Sequence, residues 1–285
     1  MELECYKTLW GCTSSAAEST FVAKSQGYDG VEASIPHNVE EIEKFTSSLK
    51  HHGLKYIAEI ATTGSYVPDR RCNVEAHLND LKKNLDSLSD LKPEFVTCLG
   101  GCDAWSLEQS VEFFTRAMSI AAENHLAISF ETHRGRSLFS PWATAAIVKE
   151  IPEIKLTFDI SHWWVVCEGL QSTEESLIAS LADNAYHIHA RVGYDQGPQV
   201  PDPEKGEYRT MLRSHLNTWR VLWAGIQKTR SITSVTPEFG PDGYEYRSID
   251  GAKSLVDLDK INQFMATVVR DEFRQWSSEN SGMAR

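Results

Sequence analysis

The sequence predicts a single-domain α/β protein, a closed (β/α)8 barrel of TIM-barrel type. Three observations predict it. Short β-rich runs alternate with longer stretches of helical period along the chain. Eight such units fit in about 276 residues. No Gly-rich phosphate or dinucleotide loop follows any run, which counts against an open doubly wound sheet. The domain is expected to span residues 1–276, with 277–285 a small, polar, frayed tail.

The strands are read near Thr8–Cys12, Gly30–Ser34, Lys55–Ala61, Glu94–Leu99, Leu126–Glu131, Lys155–Asp159, Tyr186–Ala190 and Ile232–Glu238. They are short and mostly apolar, as Leu126-Ala127-Ile128-Ser129-Phe130 illustrates. Strands joined by helices pair in parallel. Between the third and fourth runs, Val74, Leu78, Leu81, Leu85 and Leu88 recur at three- and four-residue steps and form one apolar helical face. Leu255, Leu258, Ile261, Met265 and Val268 repeat the pattern after the last strand. Asn38 with Glu41, Ser106 with Gln109, and Ser172 with Glu175 are capping-box pairs and mark helix starts.

The chain has 285 residues and a net charge of −12, from 28 Lys and Arg against 40 Asp and Glu. That balance argues against a duplex-DNA binder, because phosphate contacts need a basic surface. No window approaches a membrane span. The start, Met1-Glu2-Leu3-Glu4-Cys5, has neither the basic nor the apolar part of a signal peptide. Cysteines at 5, 12, 72, 98, 102 and 167 are too sparse for a disulfide scaffold. Cys98 and Cys102 lack the second pair that a zinc knuckle needs. Reduced thiols in a cytoplasmic protein are the expectation.

In a barrel the chemistry sits at the C-terminal ends of the strands. The second run ends in Val31-Glu32 and the fifth in Phe130-Glu131-Thr132-His133-Arg134. The sixth ends in Phe158-Asp159-Ile160-Ser161-His162-Trp163, the seventh holds His187-Ile188-His189-Ala190-Arg191, and the eighth ends in Pro237-Glu238-Phe239. Ionisable groups rarely occupy such apolar surroundings unless paired or ligated. Their recurrence at one end of successive strands marks a site.

The order Glu131, Asp159-x-x-His162, His187-x-His189, Glu238 resembles the xylose isomerase-like barrel superfamily. That group includes ketose 3-epimerases, hydroxypyruvate isomerases, inosose dehydratases, dehydroshikimate dehydratases and endonuclease IV. Gly27-Tyr28-Asp29-Gly30-Val31-Glu32 is similar to the end of the group's second unit. The resemblance implies one divalent metal held by Glu131, Asp159, His189 and Glu238, with His162 beside it holding the substrate. Three carboxylates and one imidazole are a hard, oxygen-rich set that suits Mn²⁺ or Mg²⁺, with Co²⁺ or Zn²⁺ as further options. The competing reading is a set of buried ion pairs without metal, yet no four basic residues sit at matching strand ends to balance three acids.

A metal chelating a carbonyl and an adjacent hydroxyl acidifies the C–H between them. Glu131 and Glu238 are the paired acid and base of the implied reaction, which passes through a metal-bound enediolate. Proton return to the same carbon is epimerisation and to the neighbouring carbon isomerisation; loss of a β-hydroxyl is dehydration. The leading expectation is an isomerase or epimerase of a sugar, keto-acid or polyol. The alternatives are a dehydratase on a keto-polyol or keto-sugar, and a non-catalytic barrel that binds a ligand or partner.

Substrate contacts are expected from His162, His187, Arg191 and Trp163. His187 shares the side of His189 by period two, and either points into the site or is a buried hydrogen-bonding residue. The resemblance implies a metal-distal or substrate role for Glu32, and a rim ion pair is the competing reading. Arg134, Arg136 and Arg191 are candidate carboxylate or phosphate binders; Arg191 is favoured, loop surface is the alternative for Arg134 and Arg136, and His133 is unassigned. Trp10, Trp105, Trp163 and Trp164 follow strands and can wall a sugar or fill the core. Gly193–Gly206, with three prolines, reads as a lid or subunit contact. Trp219 and Trp223 on a helix point either to the interface of a homo-oligomer or to the core that one face of each helix must fill. The extra histidines of a trinuclear zinc cluster are missing: the fourth strand ends in Cys98-Leu99-Gly100-Gly101, and Asp202-Pro203-Glu204 follows the seventh.

Overall fold

The structure, a computed structural model, describes residues 1–241, 243–251 and 253–283, the last three of these by backbone only. Eight parallel strands close into a barrel in chain order. They are β1 (Glu2–Thr8), β2 (Gly30–Ser34), β3 (Lys55–Ala61), β4 (Phe95–Leu99), β5 (Ile128–Glu131), β6 (Leu156–Phe158), β7 (Ala185–His189) and β8 (Ile232–Thr236). β1 and β8 pair from Glu2 opposite Ile232 to Cys5 opposite Val235 and complete the ring. The outer layer is α1 (Ala16–Ser25), α2 (Val39–His52), α3 (Val74–Asp86), α4 (Leu107–Glu123), α5 (Pro141–Glu150), α6 (Ile160–Val166), α7 (Ser172–Ser180), α8 (Arg209–Ile226) and α9 (Leu258–Met283).

The first strand differs from the expectation. It is the polar-looking start of the chain, Glu2–Thr8, and the Thr8–Cys12 run follows it as a turn. The alternation explains this: Glu4, Tyr6 and Thr8 share one side, and Cys5 is buried on the other. α7 starts one residue earlier than expected, because Gln171 rather than Ser172 caps it, with its N–H donating to Glu174. Asn38 and Ser106 cap as expected, and Ser15 with Glu18 forms a further capping box. The expected tail continues α9 as a helix to Met283, and residues 284 and 285 lie outside the described residues. Leu255 precedes that helix and is exposed; Val269 joins Ile261 and Met265 in the core.

The barrel interior is layered. Tyr6, Ile57 and Phe95 plug its lower part. Gly30 makes this possible: a Cβ there would lie 2.4 Å from the Tyr6 ring and 2.6 Å from the Lys55 carbonyl. The His187 ring stacks edge-on above Tyr6 and Phe95. Above His187 the interior turns ionisable. The alternating residues, such as Val31, Phe130, Phe158, Ile188 and Val235, face outward and pack under the helices. An apolar floor thus carries a charged upper layer at the C-terminal ends of the strands.

Trp219 and Trp223 are fully buried, Trp223 against Phe273 and Trp276 of α9, so they supply no subunit interface. The 193–206 stretch is also packed down. Val200 N–H donates to Val192 O, and Gln199 exchanges hydrogen bonds with Gly240 in the loop after β8. It is a fixed part of the rim rather than an open lid. Among the described residues no helix is long and apolar enough to cross a membrane.

Candidate metal centre

Four strand ends converge on one point. Glu131 closes β5, Asp159 follows β6 and caps α6, His189 closes β7, and Glu238 lies two residues past β8. All four are buried, and one ligand atom from each lies within 4.8 Å of the others. The set expected from the sequence is therefore assembled in space.

The protein pre-orients this quartet. Asp159 Oδ1 accepts from the Ser161 N–H at 2.9 Å, and its Oδ2 pairs with the Arg191 guanidinium. Each carboxylate oxygen can accept twice, so a lone pair remains for a cation. His189 Nε2 donates to Glu32 Oε1 at 3.1 Å, since a carboxylate only accepts. That tautomer leaves the lone pair on Nδ1, which lies 3.1 Å from Glu238 Oε2 and 3.8 Å from Glu131 Oε1. Nδ1 is buried and has no hydrogen-bond partner. A buried, unpartnered imidazole nitrogen facing three carboxylates fits a divalent cation.

The charge balance agrees. Burial pushes the Glu131 carboxyl up to about 7, against the pull of His189. Burial also raises Asp159, although Arg191 opposes it. For His189, burial favours the neutral ring, but Glu238 and Glu32 outweigh it and hold the pKa well above the ordinary value. The metal-free quartet thus retains protons, and a divalent ion is the natural replacement.

Of the readings open for Glu32, the structure agrees with the metal-distal one and not with a rim ion pair. It is buried and bridges His187 and His189, each at 3.1 Å. Burial disfavours its charge, but the two imidazoles hold its carboxyl well below the usual range. His187 is the buried hydrogen-bonding residue of the two readings, with Nδ1 2.7 Å from Ser234 Oγ. It lies below the quartet and does not line the pocket.

That pocket opens above the quartet. Arg191 and the metal-set residues Glu131 and Glu238 line it, together with His133, Glu59, Trp10, Tyr66 and Tyr244. Of the expected aromatic walls, Trp10 reaches the pocket. Trp163 is fully buried, donates Nε1–H to Leu138 O at 3.0 Å, and belongs to the core. Trp164 stacks on His215, and Trp105 meets His77 edge-on. Gly240 sets Trp10 in place, since a Cβ there would fall 2.0 Å from its ring. His162 sits behind His133, with ring centroids 3.9 Å apart. Burial holds its pKa well below the ordinary value, so its Nε2 accepts from Arg191 at 2.7 Å, and the buried Nδ1 has no partner.

Tyr66, Tyr244, His133 and Glu59 had no assigned role in the sequence. Tyr66 and Tyr244 stand on loops whose course periodicity does not reveal. Glu59 was open to discovery: it occupies an inward position of a strand whose bounds are legible, between Ile57 and Ala61. Arg136 is buried rather than on the loop surface, and its guanidinium donates to the carbonyls of Thr62, Thr63, Ser65, Tyr66 and Gly101. Arg134 lies over the Tyr244 ring at 5.4 Å.

No curated protein matches the chain in sequence. Among solved structures it is similar to L-ribulose 3-epimerase, with a TM-score of 0.68 and 12% identity over 100% of this chain and 99% of that one. A D-allulose 3-epimerase from Methylomonas sp., in complex with D-allulose, gives 0.67 and 15% over 95% and 97%. A probable 3-DHS dehydratase from Bacillus anthracis gives 0.59 and 13% over 95% and 99%. At such identities the likeness is one of fold. Residues 21–204 match the family model of the xylose isomerase-like TIM barrel, and the chain belongs to that family.

Proposed function

We propose that the protein is a divalent-metal-dependent isomerase or epimerase of a sugar, keto-acid or polyol. The observation that carries this reading is the unpartnered Nδ1 of His189 facing Glu131 and Glu238 across the pocket floor. Glu131, Asp159, His189 and Glu238 hold the ion, Mn²⁺ or Mg²⁺ by the hardness of the set. When bound, the ion acts as a Lewis acid toward two adjacent substrate oxygens.

The remaining work falls to the chain. Glu131 takes the proton from the hydroxyl-bearing carbon next to the carbonyl, and Glu238 returns one from the other side. Arg191 is fixed by Asp159 and stands 3.7 Å from Glu238, where it orients the substrate and offsets the acidic wall. His162 holds Arg191 from behind, and through it the substrate position. Trp10, Tyr66 and Tyr244 pack edge-to-face at 5.3–6.5 Å, cover an apolar sugar face and exclude water. The substrate is a small molecule, nucleic acid being disfavoured by the net charge of −12. The cytoplasmic address expected from the sparse cysteines stays with this proposal.

A dehydratase using the same carboxylates is the second reading, favoured by the fold likeness to a probable dehydratase. The test is solvent exchange. Incubated with ketoses, hydroxypyruvate and inososes in D₂O with Mn²⁺, the enzyme should wash one deuterium into the substrate, with product of unchanged mass apart from that label. Glu131→Gln and Glu238→Gln should each lower the rate at least ~10²-fold, the usual cost of losing an acid–base group. Loss of one water from the product establishes the dehydratase. Equal exchange in both variants contradicts the acid–base assignment.

A further inference from the structure

Glu59 stands on β3 opposite Ser34 of β2 and Thr97 of β4. Its carboxyl enters the pocket above the quartet but is not one of the four metal-set residues. Among the described residues its side chain forms no hydrogen bond and no ion pair. The contrast within the barrel is sharp: Glu32 has two histidines, Asp159 has Arg191 and Ser161, and Glu238 has His189. A half-buried carboxyl without a partner, beside other carboxylates, costs stability and serves no packing need.

Glu59 also borders a second cavity, of about 210 Å³, between the starts of the loops after β1, β2 and β3. Trp10 and Tyr66 border both spaces, and Trp10 Nε1 donates to Tyr66 Oη at 2.6 Å where they meet. The rest of the second cavity is lined by Leu9 and by the small or hydroxylated side chains of Ser14, Ala16, Ala33 and Ser34. An indole face, small residues and hydroxyls at a carboxyl-marked junction are the surfaces that take a hydroxylated ring.

We propose that Glu59 binds a substrate hydroxyl at this junction, and that the substrate extends past it, its reacting keto-sugar at the quartet and a second sugar unit in the cavity beside Ser34. The preferred ligand class is thus a keto-disaccharide or ketoglycoside rather than a free monosaccharide. This inference rests on the metal-dependent sugar reading above and narrows its substrate.

The test is isothermal titration of the Mn²⁺-treated protein with D-fructose and with palatinose, turanose, maltulose and leucrose, which join glucose to fructose through different positions. At least one disaccharide should bind about tenfold more tightly than fructose. Glu59→Gln should weaken that disaccharide about tenfold while Mn²⁺ content stays at the wild-type level. Ser34→Trp, which fills the second cavity from its exposed edge, should bring the disaccharide down to the affinity of fructose. Binding of fructose with equal or greater affinity than every disaccharide overturns this inference alone. Mn²⁺ uptake with no binding of any sugar overturns both the inference and the sugar reading.

Discussion

His189 and Glu32 meet across the barrel from β7 and β2, with Nε2 of the imidazole 3.1 Å from Oε1 of the carboxylate. This bond fixes the tautomer that leaves Nδ1 facing Glu131 and Glu238. Under the proposed metal reading, a residue outside the metal set would govern how well the ion is held.

Glu32→Gln tests that relationship. An amide can offer His189 its N–H as readily as its oxygen, so the tautomer is no longer fixed. Mn²⁺ affinity should fall about 10- to 100-fold, the usual cost of losing such a partner. Competition against a fluorescent chelator measures it, and far-UV circular dichroism checks the fold. Wild-type affinity would contradict the orienting role.

Metal binding should depend steeply on pH. The metal-free protein keeps a proton on Glu131 up to about pH 7 and one on His189 well above the ordinary histidine range. Both must leave when the ion binds. Affinity should therefore rise more than tenfold per pH unit below about 7, then less steeply once Glu131 is ionised. The stability sign follows. The Glu131 pKa is raised on folding, so its contribution is full below about pH 4.3 and is lost as pH climbs through about 7. The metal-free melting temperature should accordingly fall across that window, and added Mn²⁺ should raise it more at pH 8 than at pH 5. Calorimetric scans at several pH values decide this.

Arg191 carries a different signature. It is buried and pairs with Asp159. Arg191→Met leaves that carboxylate buried and uncompensated, and should cost the metal-free protein about 3 kcal/mol. Saturating Mn²⁺ should recover most of the loss, because the ion takes over the compensation. A deficit that persists with metal would place Arg191 in the packing of the rim instead.

Arg136 should show no such recovery. Its guanidinium, with a pKa lowered by burial to about 10, gathers backbone carbonyls of the loop carrying Tyr66. Arg136→Met strands several buried acceptors and should cost about 2–4 kcal/mol with or without Mn²⁺. Thermal melts in both conditions are the check.

The barrel was legible because its strands are buried runs bounded by clear helical periods. β2 and β3 fall at their expected bounds. β1 was not, because Glu2, Glu4 and Lys7 mask the burial of Tyr6 on one face and Cys5 on the other. The quartet was legible because period two puts a strand's last inward residue at the mouth of the barrel. The supporting shell was harder. Glu32 and His187 read as site or rim residues because sequence gives depth only when the register across the barrel is known. Trp163 read as a wall because its side chain turns under α6 to Leu138 rather than over the mouth. Tyr66 and Tyr244 lie on irregular loops and join the site through tertiary contacts alone.

The central claim is that Glu131, Asp159, His189 and Glu238 hold one divalent ion. Its most direct test is metal content: incubate the purified protein with excess Mn²⁺, remove free ions, and measure bound metal by inductively coupled plasma mass spectrometry beside Asp159→Asn. About one ion per chain, lost in the variant, is the predicted result. No bound metal in the wild-type protein would contradict the claim and leave the four residues as buried polar structure.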